Sequence, residues 1–346
     1  QDGHGACAVS CRYALSSHVA NSCLWLLPAI YGLDNPMLEN ERCPITGSLA
    51  AVKQEAKSRI QARFGLAIDP NVRLFVSLGR MVRQKGCDLL ADICPWLLAF
   101  PDVQLIVVGP PGDGFGHYAV QRMRQLESQH QGRVLFHFTF MQDAALLRDM
   151  KLGADFVFMP SRSEPFGYVD IEFAWHGALM VGANVDGLGK VPGFYYHVQD
   201  WEDSRALQVQ LKMTVSKALS TPKLKLESMA EAALNCEFPV EVWQRRLVSA
   251  YTMVADPSLE SLESVNRKVL GSASKACMDA EADVTATSIC VEYSEEPAVC
   301  THEFLEQELD DEQLALKVQE HLKHHPSQSI DDVLESIGTE MVTAPQ

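Results

Sequence analysis

Glu164 and Glu172 lie eight positions apart in the stretch Ser161 to Gly177, SRSEPFGYVDIEFAWHG, and their setting suits ligand chemistry. The apolar run Phe156-Val157-Phe158-Met159-Pro160 precedes them and reads as a buried parallel strand. Pro165 and Gly167 break that pattern, and a helix is predicted from about Tyr168. Glu164 is therefore expected in the loop at the carboxyl end of a strand. Glu172 falls about one and a half turns into the following helix, so both carboxylates can face one crevice. In open α/β sheets, ligands bind in that crevice. Glutamate pairs at this spacing also arise on solvated helix faces, so the pair gains weight only from a second element.

That element is Gly79-Arg80-Met81-Val82-Arg83-Gln84-Lys85-Gly86, between the strand-like Val72 to Leu78 and the helix-like Asp88 to Phe100. Arg80 is expected at a strand's carboxyl end and Lys85 at the mouth of the next helix. Backbone N–H groups and the positive helix end favour an anion there. A guanidinium that forks two oxygens and a mobile ammonium together suit a diphosphate. Solvated loop charge is the bland alternative for Arg80, Arg83 and Lys85. Recurrence of a basic loop opposite the Glu164 loop in one half-sheet favours function.

These elements must be positioned by a scaffold, and the pattern gives one. Strands are predicted near Leu74–Leu78, Val103–Val108, Val134–Phe138, Phe156–Met159 and Leu179–Ala183. Helices are predicted near Cys87–Phe100, Tyr118–Gln129, Asp143–Leu152, Tyr168–Trp175 and Arg205–Leu219, with a closing helix over Glu241–Val254. Alternation with short loops predicts an α/β fold, a Rossmann-like parallel sheet flanked by helices. Gly109 to Gly114, GPPGDG, reads as a long loop, because its prolines remove N–H donors that a phosphate would need. SLGRMVRQKG lacks the glycine fingerprint of a dehydrogenase, and Gly187-Leu188-Gly189-Lys190 is followed by Val191, so it is no P-loop.

Charge divides the chain. The formal net charge is −16, yet residues 256–346 hold 5 basic and 20 acidic residues and residues 1–255 hold 24 and 25. The acidity belongs to a tail rich in Ser, Glu and Asp, read as largely disordered, with short helices over Glu303–Leu322 and Ser329–Ile337. Such a tail is no nucleic-acid partner, and it leaves the body free to bind an anionic donor. Of the 10 cysteines, none forms a CxxC pair. Cys7, Cys11, His4 and His18 match no strong metal spacing, so no metal and no cofactor is expected, and the thiols read as buried in a reducing compartment. Cys23 to Leu33 is too short to span a membrane; attachment is expected only through segments outside this sequence.

RMVRQKGCDLL, SRSEPFGYVDIEF and GLGKVPGFYY, in that order, resemble the carboxyl-terminal half of glycogen- and starch-synthase-type glycosyltransferases of GT-B architecture. The likeness is strongest to the synthase domain of cell-wall α-1,3-glucan synthases, and it covers about residues 30 to 255. It implies retaining, metal-independent transfer of glucose from a nucleotide-glucose donor, UDP-glucose in preference to ADP-glucose, to an α-glucan acceptor. Arg80 and Lys85 would then stabilise the leaving diphosphate, and Glu164 would hold sugar hydroxyls with the backbone N–H groups of Phe166, Gly167 and Tyr168. Glu172 would accept from the ribose hydroxyls, and Gly187, Leu188 and Gly189 would line the donor site. Phe140 would stack on the base, with a core phenylalanine as its alternative. Asp186 departs from the family's usual glycine, and its carboxylate must point away from the diphosphate or meet Lys190.

The resemblance divides the chain into residues 1–40, the end of an amino-terminal domain and hinge, residues 41–255, the nucleotide-sugar-binding domain, and the acidic tail. The rest of the amino-terminal domain is expected upstream as a partner, with the isolated piece inactive. Expected location is cytoplasmic, at the cytosolic face of a membrane for a wall synthase or in a plastid for a starch synthase. A nucleotide-sugar-binding module without turnover, an ADP-glucose-dependent α-1,4-glucan synthase and a scaffold with a recruiting tail remain as alternatives.

Overall fold

The computed structural model describes residues 6–16, 30–39, 42, 44–198 and 200–255. His4, His18 and the two tail helices expected from the sequence lie outside those residues. A first pair of short strands, β1 (Ala6–Ala8) and β2 (Ile30–Gly32), forms its own parallel two-stranded sheet, with helix α1 (Cys11–Ala14) between them in sequence. The main sheet holds β3 (Arg73–Leu78), β4 (Val103–Val108), β5 (Val134–His137), β6 (Phe156–Met159), β7 (Leu179–Asn184) and β8 (Gly193–His197). Its spatial order is β5-β4-β3-β6-β7-β8, and every neighbouring pair is parallel.

The apolar runs explain the five strands expected from the sequence, four inner ones and the edge strand β5. Every residue of β4 and β6 is buried, as a strand covered on both faces requires. Phe75 of β3 stacks on Phe156 and Phe158 of β6 with ring centroids 4.8 and 5.0 Å apart. Each such ring, fully buried, contributes about 1.5–3 kcal/mol. The eighth strand was not anticipated: in Gly193–His197 only Phe194 and Tyr196 are buried, so this edge strand alternates rather than running apolar.

Helices α2 (Leu49–Phe64) and α5 (Ala144–Gly153) pack on each other, whereas α3 (Cys87–Leu97) packs on α4 (Gly114–Glu127) and α7 (Ser204–Ser220). Short helix α6 (Val169–Ala174) leads into β7, and α8 (Lys223–Leu234) and α9 (Val240–Ala255) close the body. Helix α4 begins four residues before the expected Tyr118, because Asp113 caps it by accepting the Gly116 N–H at 2.8 Å. The Gly109–Gly114 loop is correspondingly shorter than expected. Helix α2 was missed because two of its four buried residues are Lys57 and Gln61. Lys57 donates to the Val72 carbonyl at 3.0 Å and pairs with Asp155 at 2.5 Å. Lys53 donates to the Leu152 and Ala154 carbonyls at the end of α5, and burial lowers its ammonium to about 8.

Candidate active site at the sheet switch point

Strands β3 and β6 are neighbours, paired at Phe75↔Phe156 and Val76↔Val157, yet the chain leaves them in opposite directions across the sheet. Their carboxyl ends therefore border the topological switch point, where a crevice opens. The loop after β3 carries Arg80 and a 3₁₀ turn, Arg83–Lys85, that ends on Gly86 with φ 68°. A β-carbon at Gly86 would collide with the Pro160 carbonyl, so glycine lets this loop lie against the one after β6.

Arg162 joins the two loops. It is 3% exposed, and all five of its N–H donors are used. Two go to Asp88 at the start of α3, at 2.8 and 2.7 Å, and one to the Arg83 carbonyl at 2.9 Å. The others reach the Trp201 carbonyl and the Ser204 hydroxyl. The Arg162 N–H also donates to the Gln84 carbonyl at 2.8 Å, and Gln84 Nε2 to the Ser163 carbonyl at 3.1 Å. Sequence reading passed over Arg162; its signal was a guanidinium directly after a buried strand, with an aspartate opening the helix of the neighbouring strand.

On this frame Lys85 forms an ion pair with Glu164, whose side chain is 10% exposed. Arg80 stands exposed two residues beyond β3. Glu172 engages a different partner, pairing at 2.6 Å with Lys151 of α5. Each of the two sequence-predicted carboxylates thus meets its own lysine. The backbone N–H groups of Phe166, Gly167 and Tyr168 donate to no acceptor among the described residues. Tyr168 is 46% exposed, whereas Phe166 is a buried ring under the Lys190 ammonium, 4.5 Å from its centroid.

Lys190 is a second structural hub, which the sequence offered only as a possible partner for Asp186. Its ammonium lies 2.6 Å from Asp170, 2.5 and 2.8 Å from the carbonyls of Phe166 and Gly167, and 3.0 Å from that of Gly187. Asp170 has no exposed surface, and burial pushes its carboxyl up to about 6 although Lys190 and the Ile171 N–H pull it down. The ion pair ties the Phe166–Gly167 turn to the glycine loop after β7.

In that glycine loop the Leu188 side chain is fully buried, and only Gly189 of the three expected donor-lining residues is exposed. The Gly187 N–H is taken by the Glu164 carbonyl at 2.8 Å and the Leu188 N–H by the Val185 carbonyl at 2.9 Å. Arg12, from the amino-terminal segment, donates to the Leu188 carbonyl and to Asn184 Oδ1. Ser10 Oγ donates to the Pro165 carbonyl at 2.6 Å. The Asp186 carboxylate does not meet Lys190; it accepts from Ser163 Oγ at 2.7 Å and the Glu164 N–H at 3.0 Å. Phe140, beyond β5, is 64% exposed, which removes the core alternative for it.

Cations with solvent-facing donors bind phosphate oxygens, and a carboxylate beside them accepts from hydroxyls. Residues 58–195, which span both loops, match the family described as glycosyl transferases group 1. This segment is a glycosyltransferase group 1 domain. The chain that carries it is homologous to α-1,3-glucan synthases and to starch and glycogen synthases. It is 34% identical over 256 residues to cell wall alpha-1,3-glucan synthase mok12 of Schizosaccharomyces pombe, which covers 71% of this chain and 11% of that relative. It is 37% identical over 142 residues to soluble starch synthase 2-1 of Oryza sativa subsp. japonica, covering 41% of this chain and 18% of the relative. The chain therefore spans only a small part of these relatives. Among solved structures, the catalytic domain of starch synthase IV from Arabidopsis thaliana, bound to ADP and acarbose, superposes with a TM-score of 0.59. At 17% identity, over 72% of this chain and 56% of that one, the likeness is one of GT-B fold. Among the described residues, no helix is long and apolar enough to cross a membrane.

Proposed function

We propose that the glycosyltransferase group 1 domain binds a nucleotide-glucose donor, UDP-glucose in preference to ADP-glucose, and that the complete protein transfers the glucose to a growing α-glucan. The observation that carries this reading is the facing of Lys85 and Glu164 across the β3/β6 switch point, with Arg80 on the same loop. Departure of a nucleoside diphosphate from the anomeric carbon leaves negative charge on the diphosphate and positive charge on the ring. Arg80 and Lys85 supply fixed positive charge for the first, and Glu164 holds sugar hydroxyls beside the second. The unclaimed N–H groups at 166–168, on the loop that carries Glu164, add donors for the sugar or the diphosphate. Glu172 accepts from the ribose, Phe140 offers an exposed face to the base, and Gly189 borders the donor with Gly187 and Leu188 behind it. With cations of its own at the diphosphate, the site does this work without a metal.

UDP-glucose is preferred because four α-1,3-glucan synthases of Schizosaccharomyces pombe match 71% of this chain at 32–35% identity, whereas granule-bound starch synthase 1 of Zea mays matches 74% of it at 27% and the rice starch synthase only 41% of it at 37%. A sugar nucleotide such as UDP-glucose is α-linked, so an α-linked product means retention at the anomeric carbon. Residues 1–40 are read as the end of a preceding domain, since β1 and β2 form a sheet of their own; that domain supplies acceptor contacts. Calorimetric titration of residues 30–255 with UDP, ADP and their glucose esters tests the donor. UDP binding more tightly is the expected result, and tighter ADP binding replaces this reading with an ADP-glucose-dependent one.

A further inference from the structure

Asp186 occupies a position where its side chain has to justify its backbone. It is the only residue other than glycine with a positive φ among the described residues, at 48°. Glycine adopts that conformation freely, whereas an L side chain is strained in it, aspartate less than most. The neighbouring position is closed to any side chain, because a β-carbon on Gly187 would collide with Phe166. Asp186 is also 8% exposed, and a buried carboxylate persists only when hydrogen-bonded. Its Oδ2 accepts from Ser163 Oγ at 2.7 Å and from the Glu164 N–H at 3.0 Å, while the Gly187 N–H donates to the Glu164 carbonyl at 2.8 Å. Residues 186 and 187 therefore grip both backbone polar groups of Glu164.

We propose that Asp186 is a positioning residue for glycosyl transfer, acting through Glu164. The carboxylate fixes the backbone at 163–164, so the Glu164 side chain reaches Lys85 and the sugar from one orientation. This inference rests on the donor-site reading above and assigns Asp186 no contact with the donor. The amide of asparagine offers one oxygen that both donors can share, and asparagine also tolerates positive φ. Glycine relieves the backbone but leaves the Ser163 hydroxyl and the Glu164 N–H without this acceptor.

The test uses the complete protein with Asp186→Asn, Asp186→Gly and Ser163→Ala. Asp186→Gly should lower kcat by about 10–100-fold while UDP affinity stays within about twofold, and Asp186→Asn should recover most of the lost rate. Ser163→Ala should cost only a few-fold, because the Glu164 N–H bond remains. Amide hydrogen exchange of the peptide containing residues 163–168 should accelerate in Asp186→Gly and not in Asp186→Asn. Wild-type kcat in Asp186→Gly, or UDP affinity falling in step with kcat, overturns the proposal. Should the wild-type protein neither bind UDP nor transfer glucose, the donor-site reading fails by itself. Unchanged exchange in Asp186→Gly then still overturns the clamp, and a variant that does not fold leaves Ser163→Ala and Asp186→Asn to decide.

Discussion

Arg162 and Asp88, separated by 74 residues in the chain, form a buried pair with two hydrogen bonds of 2.8 and 2.7 Å. The pair fixes the loop after β6 to the start of α3, and through the Arg83 carbonyl to the 3₁₀ turn that carries Lys85. Removing one member leaves a buried charge without its partner. Arg162→Met should therefore destabilise the fold by about 3–5 kcal/mol, and the double variant Arg162→Met/Asp88→Leu should recover much of that loss. Denaturant unfolding of the three proteins measures it. A single variant as stable as wild type shows that the loops are held elsewhere.

The Lys85–Glu164 pair is expected to behave differently, because Lys85 keeps 29% of its side chain exposed although Glu164 keeps only 10%. Arg80→Ala or Lys85→Ala in the complete protein should reduce glucosyl transfer by about one to two orders of magnitude, the worth of a charge-assisted contact of about 1.5–3 kcal/mol. Melting temperature should barely move for the exposed Arg80, and should fall modestly for Lys85→Ala, which leaves the nearly buried Glu164 carboxylate without its partner. Glu164→Gln should impair transfer while sparing UDP binding. Transfer to an α-glucan primer, measured with melting as control, separates the outcomes. Unchanged transfer in all three variants ends the catalytic assignment.

Glu172 and Lys151 meet at 2.6 Å with 35% and 18% of their side chains exposed. If Glu172 accepts from ribose hydroxyls, Glu172→Gln should weaken UDP binding by about tenfold, the loss of one hydrogen bond to a charged group. Stability should change by less than about 1 kcal/mol. Calorimetry with UDP and an unfolding curve suffice. Equal affinity in the variant would assign Glu172 to the α5–α6 contact alone.

What the sequence disclosed tracks what is local in physics. Strands β3, β4, β6 and β7 are dense apolar runs, and the loops that follow β3 and β6 begin at Gly79 and Pro160, so the order of elements and the place of Arg80, Lys85 and Glu164 were legible. Helix α8 was not, because its buried contacts are Leu226 and two alanines, Ala230 and Ala233. Arg162–Asp88 and Lys190–Asp170 carry no periodicity, and each joins a loop to the first turn of a helix, 74 and 20 residues away. Asp186 stood out as a departure from the glycine usual in the resembling family, but the direction of its carboxylate depends on a positive φ that only the folded loop reveals.

A pH dependence follows from His176, which is 7% exposed behind the Glu172 turn. Its Nδ1 lies 2.6 Å from the Glu172 carbonyl, an acceptor only, so the ring donates there. Burial is the main reason its pKa falls from 6.5 to about 4, and Lys151, Lys53 and Arg148 push the same way. A depressed folded-state pKa means that the unfolded chain binds more protons between those values. The stabilisation is thus complete above about pH 6.5 and is lost as pH falls toward 4, a change of about 3 kcal/mol. His176→Asn keeps a donor for the carbonyl and removes the titration. Urea unfolding between pH 4 and 8 should show wild type losing stability more steeply than the variant on the acid side. Parallel curves would mean that the acid loss comes from other groups, and that His176 takes up its proton without unfolding the Glu172 helix.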